Sequence, residues 1–228
     1  MKSTNLYTFY DTYGNINNYT ISSNTEIGKN IGKCGRVYSY DSENILKIYN
    51  QDCDYCGRIV PSVADIINDY NGKNLVKIDK LLFDCDYKKI DDDSVVSAYT
   101  RSYIEADETN LALMSKDYIK DCTVSLLKIG VYFAKKGILL EDLKYDNTII
   151  NKDGLSLIDP DTWFYCDYDY EDILDINTSR LINLLKEIYV TDLIKIINTK
   201  DFNYVKQIRD LLLTPNLYDT KKKVLKNI

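Results

Sequence analysis

Near residues 105–108 the apolar pattern of this chain changes period, and that change limits the folds open to it. Before it, short runs rich in Val, Ile, Leu and Tyr alternate with turn residues. Residues 1–25, rich in Tyr, Asn, Ser and Thr, carry a turn signal at Tyr13-Gly14-Asn15 and predict a hairpin or lead-in strand. Strands follow at 37–40 and 45–49 around Asp41-Ser42-Glu43-Asn44, then at 75–83 and 95–104. One helix interrupts them: Pro61 suits a first helical position, and Val63, Ile66, Ile67 and Tyr70 recur at helical spacing until Asn71-Gly72. After the change, 118–136 has helical periodicity with Gly137 as its stop. A strand–loop–strand block covers 138–159, and amphipathic helices are predicted over 171–192 and 201–213. The class this predicts is α+β: an antiparallel sheet with one helix, then a mostly helical half.

A chain of 228 residues suffices for one domain or two packed lobes. A net charge of −6 opposes a nucleic-acid or anionic-membrane partner, because the averaged field repels phosphate. The longest apolar stretch, from Cys122 to Leu140, is broken by Lys128, Lys135 and Lys136, so no membrane span is expected. No secretory signal is visible, and the six cysteines are expected to be reduced thiols. Cys53-Asp54-Tyr55-Cys56 with Cys85 offers a zinc reading beside that of plain thiols. Histidine is absent, which removes Ser-His-Asp, Cys-His and HExxH chemistry. Carboxylates, lysines, thiols and backbone amides remain.

The densest set of such groups is Leu140-Glu141-Asp142-Leu143-Lys144-Tyr145-Asp146-Asn147, followed by Ile158-Asp159-Pro160-Asp161. A carboxylate and an amide stand at the two ends of one short loop, and a second carboxylate ends the next strand. Phosphoryl transfer needs such parts: a carboxylate for the hydroxyl proton and hard oxygens for magnesium. The stretch resembles the protein-kinase-like superfamily, whose H-R-D-x-x-x-x-N loop is matched at Asp142 and Asn147, and whose D-F-G is matched by Asp159-Pro160-Asp161. Upstream, Asn30-Ile31-Gly32-Lys33-Cys34-Gly35-Arg36-Val37 resembles G-x-G-x-x-G-x-V with Asn at the first glycine, and Lys47 stands where the family has its V-A-I-K lysine.

That resemblance implies a two-lobed fold with an N-lobe at 1–104, a hinge at 105–108 and a reduced helical C-lobe at 109–228. It implies ATP and Mg2+ as cofactors. Asp142 would be the catalytic base, Lys144 would sit near the γ-phosphate, and Lys47 would bind the α/β-phosphates. Gly32 and Gly35 belong to the phosphate loop; Val37 and Ile45 would roof the adenine with Ile149 beneath; Glu105 to Asp107 would present hinge backbone to its edge; Asn147 and Asp159 would hold the metal. The lysine's usual glutamate is missing, and Asp65 either replaces it or lies on a solvated face, with Asp69 a weaker candidate. Asp161 reads as an extra metal ligand or as a turn carboxylate. Glu141 replaces the loop arginine that would receive a phosphorylated segment, so phosphorylation gating is not expected. The implied activity is that of a minimal bacterial or viral Ser/Thr protein kinase, possibly of effector type, acting on a protein substrate. It would be cytoplasmic or delivered to a host cytosol. The alternatives are a pseudokinase serving as a binding module and, less favoured, a small-molecule kinase.

Overall fold

The computed structural model describes residues 4–22, 25–27, 34–53, 57–85, 89–106, 114–151 and 153–198. The fold is α+β, and the chain divides into two compact units. The first takes the chain up to Asn71, then Val76–Ile104 and Pro160–Thr162; the second takes Gly72–Leu75, Glu105–Asp159 and the chain from Trp163 onward.

In the first unit, strands β1 (Thr4–Asp11), β2 (Ile16–Ser22), β3 (Glu26–Ile27), β4 (Gly35–Ser39), β5 (Asn44–Tyr49), β6 (Lys80–Phe83) and β7 (Ala98–Ser102) form one sheet. Its order is β2-β1-β6-β7-β5-β4-β3, and every pairing is antiparallel. Two aspartates build its tight turns. The Asp11 carboxylate accepts from the Tyr13 and Asn15 backbone N–H groups at 2.9 and 3.0 Å, and Gly14 takes φ 77° between the strands. Asp41 likewise accepts from the N–H groups of Glu43 and Asn44 at 2.8 and 2.7 Å. Phe9, Ile21, Tyr38, Leu46, Leu82 and Ala98 form a buried core cluster, with Tyr7, Tyr19, Tyr40 and Ile48 packed against it.

Helix α1 (Pro61–Asp69) begins with proline at its first turn and buries Pro61, Val63, Ala64 and Ile67. Its end is capped by Lys77, whose ammonium donates to the carbonyls of Ile67, Asn68 and Tyr70. Asn68 accepts from the Ile78 N–H and donates to the Ile78 carbonyl. These bonds correct the strand expected over 75–83. The backbone groups of Ile78 are spent on α1, so ladder pairing starts only at Lys80.

The second unit holds helices α2 (Lys116–Lys135) and α3 (Tyr170–Asn198), with two small antiparallel pairs. β8 (Ile138–Leu139) pairs with β11 (Phe164–Tyr165), and β9 (Thr148–Asn151) pairs with β10 (Gly154–Leu157). Ser115 caps α2 by accepting from the Tyr118 N–H, and Gly137 at φ 73° turns the chain out of it. A side chain at Gly130 would meet Leu181 Cδ1 at 3.0 Å and Thr178 Cγ2 at 3.3 Å, so glycine lets α2 and α3 pack closely there. The Phe133 and Trp163 rings meet edge to face at 4.9 Å. The helix expected at 171–192 runs from Tyr170 to Asn198, and the one expected at 201–213 lies outside the described residues. Among the described residues no helix is long and apolar enough to cross a membrane.

Candidate functional site

In the second unit, the segment between β8 and β9 is gripped from beneath by α3. Asn177, fully buried, accepts from the Leu140 N–H at 2.9 Å and donates to the Ile138 carbonyl at 2.9 Å. Arg180, one turn on, donates to the Leu140 carbonyl at 2.7 Å and pairs with Glu141 at 2.8 Å. Glu187 accepts from the Tyr145 N–H at 3.3 Å. Spacings of three and seven put these side chains on one stripe of the helix. Glu141 is thus fixed by an arginine from α3.

Above that support, Asp142 adopts φ 50°, a left-handed backbone that non-glycine residues rarely take. Its Oδ2 accepts from Lys144 Nζ at 2.6 Å and from Asn147 Nδ2 at 3.1 Å. Asn147 Nδ2 also donates to the Asp142 carbonyl at 2.8 Å, so the amide nitrogen is committed to Asp142 and the amide oxygen is the atom left for a hard cation. A single 3₁₀ turn, Tyr145–Asn147, closes the loop. The Asn147 carbonyl accepts from the Ile158 N–H at 3.1 Å, which sets half-buried Asp159 one residue beyond that bond. Asn147 and Asp159 therefore fit a hard divalent cation in donor type. Among the described residues no group of three or more carboxylates and thiols is gathered for a metal, and Cys56 of the zinc reading lies outside them.

In the first unit, Lys47 lies opposite Val37 across β4 and β5, and Ile45 is two residues before it on the same strand. Strand alternation puts all three on one face of the sheet. Lys47 is 7 % exposed and pairs with Asp161 at 2.6 Å. The Tyr49 hydroxyl donates to the other oxygen of Asp161 at 2.8 Å and accepts from the Ile59 N–H at 3.1 Å. Burial and the adjacent Asp161 push the Tyr49 hydroxyl far above its ordinary range, so it stays a donor. Lys47 also lies 5.8 and 5.9 Å from the ring centres of Tyr49 and Tyr99.

The carboxylate beside Lys47 is thus Asp161, not Asp65. Asp65 is exposed on α1, away from that helix's buried residues, and partial burial with Asp69 and Asp92 nearby raises its carboxyl pKa. Gly35 is buried in β4, where a side chain would lie 2.7 Å from the Ile48 carbonyl oxygen; Gly32 and Asp107 lie outside the described residues. Glu105 is exposed and its carbonyl accepts from Asn151 Nδ2 at 3.3 Å, while Ile149 is half-buried in β9. Sequence reasoning passed over Asn177, Arg180, Glu187 and Tyr49. The available signal was Asn177-Thr178 in the middle of the apolar stripe Ile173, Leu174, Leu181, Leu184 and Leu185, since a buried amide needs a partner. No protein-family model matches the chain, and no curated protein does.

Proposed function

We propose that this chain is an ATP- and magnesium-dependent phosphotransferase with a two-lobed protein-kinase-like fold, passing the γ-phosphate of ATP to a Ser or Thr hydroxyl of a protein. The observation that carries the reading is Asp142: an exposed carboxylate on left-handed backbone, aimed by Lys144 and Asn147 and braced through α3. Strained backbone held this firmly clusters where chemistry needs a fixed group. Asp142 would orient the substrate hydroxyl and take its proton as the oxygen attacks the γ-phosphorus, with ADP leaving. Lys144 would then lie beside the γ-phosphate, and Lys47 would turn from Asp161 to the α/β-phosphates. Magnesium bound through Asn147 and Asp159 would offset phosphate charge. The test is γ-phosphate incorporation into the protein itself or a generic basic protein. Asp142→Ala is expected to lower it by about 10²–10⁴-fold and Asp159→Ala to abolish it, and transfer at the wild-type rate in both would remove the assignment.

One observation favours a second reading, a pseudokinase that binds a partner without transfer. Lys47 is buried and already neutralised by Asp161, with Tyr49 completing the cluster. A lysine so held is costly to withdraw. A thermal-shift titration with Mg-ATP separates the readings: a ligand selective for the native state raises its melting temperature, and no rise favours the binding module.

A further inference from the structure

Two cysteines that the phosphotransfer reading leaves unused converge on one glycine. Cys34 immediately precedes β4 and Cys53 follows β5, strands whose register sets Gly35 against Tyr49. The backbone holds both in place. The Cys34 carbonyl accepts from the Asn50 N–H at 2.8 Å, and the Asn50 carbonyl accepts from the Cys53 N–H at 3.0 Å. Arg58 donates to the Asn50 carbonyl at 2.9 Å, and the Cys53 thiol donates to the Gly57 carbonyl at 3.6 Å. A methyl group placed on Gly57 would lie 2.7 Å from Cys34 Sγ and 2.9 Å from Cys53 Sγ. Both sulfurs therefore sit over the same missing side chain.

We infer that Cys34 and Cys53 are a redox pair, closing to an intramolecular disulfide when the protein meets hydrogen peroxide. The half-buried Cys34 is the peroxide-facing thiol. Burial and the neighbouring Cys34 push the Cys53 thiol up to about 12, so Cys53 stays protonated and waits as the resolving group. The Cys34 sulfur attacks one peroxide oxygen; the O–O bond breaks, the departing hydroxide takes up the thiol proton to become water, and Cys34 becomes a sulfenic acid. The Cys53 sulfur then attacks the Cys34 sulfur, its proton leaving with the displaced hydroxide as a second water. Two thiols are oxidised by two electrons and one peroxide is reduced to two waters. The bond would tie the entrance of β4 to the segment after β5.

The test needs no nucleotide, so it stands or falls apart from the phosphotransfer reading. The full chain is treated with hydrogen peroxide, alkylated, digested and read by mass spectrometry. The expected result is a peptide crosslinked through Cys34 and Cys53, with alkylation at both lost together and restored by dithiothreitol. Gly57→Ala, which displaces the sulfurs, is expected to slow closure while circular dichroism shows the fold retained. In Cys53→Ser a sulfenic acid should accumulate at Cys34 and be trapped by dimedone. Full alkylation of both cysteines after peroxide, a Cys53–Cys56 bond in place of Cys34–Cys53, or conversion of Cys34 to sulfinic acid would each overturn the proposal.

Discussion

Each unit contains a lysine–aspartate pair at 2.6 Å, and the two pairs could hardly differ more in surroundings. The side chains of Lys47 and Asp161 are 9 % and 7 % exposed; those of Lys144 and Asp142 are 46 % and 45 % exposed. Water screens the second pair, so its net contribution to stability is about 0–1 kcal/mol. The first pair has lost its water, and removing one partner strands a buried charge at a cost of about 3–5 kcal/mol. Equal distances thus carry unequal consequences. The buried pair is tied to the integrity of its sheet, while the exposed one spends strained backbone on a group that stability does not require.

The sharpest way to break this contrast is Asp161→Ala, expected to destabilise by about 3–5 kcal/mol in chemical denaturation. Lys47→Met combined with Asp161→Leu should recover most of that loss, because no charge is left unpaired; failure to recover would mean that the pair does more than cancel its own desolvation. Next comes Asn177→Ala, which leaves the Leu140 N–H and the Ile138 carbonyl without their partner and should cost about 2–3 kcal/mol. That result would show that the exposed loop, for all its water, rests on a buried support.

A smaller effect is expected at Asp11. Burial would raise its pKa, yet hydrogen bonds from Asn15, Tyr13 and Asn17 prevail and hold it below 3.8. A carboxyl with a depressed folded pKa contributes stability above its unfolded value, and that contribution fades as pH falls through the folded value. Asp11→Ala should therefore cost about 1–2 kcal/mol at neutral pH and progressively less below pH 3.8, read from paired denaturation curves. Smallest of all, Lys144→Ala should change stability by less than about 1 kcal/mol. Asp142→Gly should be neutral or up to about 1 kcal/mol stabilising, since glycine accepts φ 50° without a Cβ clash.

Local chemistry was the legible part of the sequence. The hairpin at Tyr13-Gly14-Asn15, the turn at Asp41, the proline start of α1 and the glycine stop at Gly137 all follow from backbone preferences, and each stands where the residues place it. Pairings between distant segments were less legible. Nothing local says that Asn68 will occupy the backbone of Ile78 and shorten a strand, or that a lysine on β5 will choose a carboxylate more than a hundred residues on over one on the nearby helix. Such choices depend on which groups lose water together, which one-dimensional spacing does not record. Asn177 lies between these extremes, since its place in an apolar stripe marks it as a polar group in need of partners, without naming them.

The most direct measurement is transfer of labelled γ-phosphate from Mg-ATP by wild type and by Asp142→Ala, with the stability of both determined on the same samples. The account predicts transfer by wild type, a fall of about 10²–10⁴-fold in the variant, and stability unchanged to within about 1 kcal/mol. Equal transfer by the two proteins, or none by a folded wild type, would contradict it.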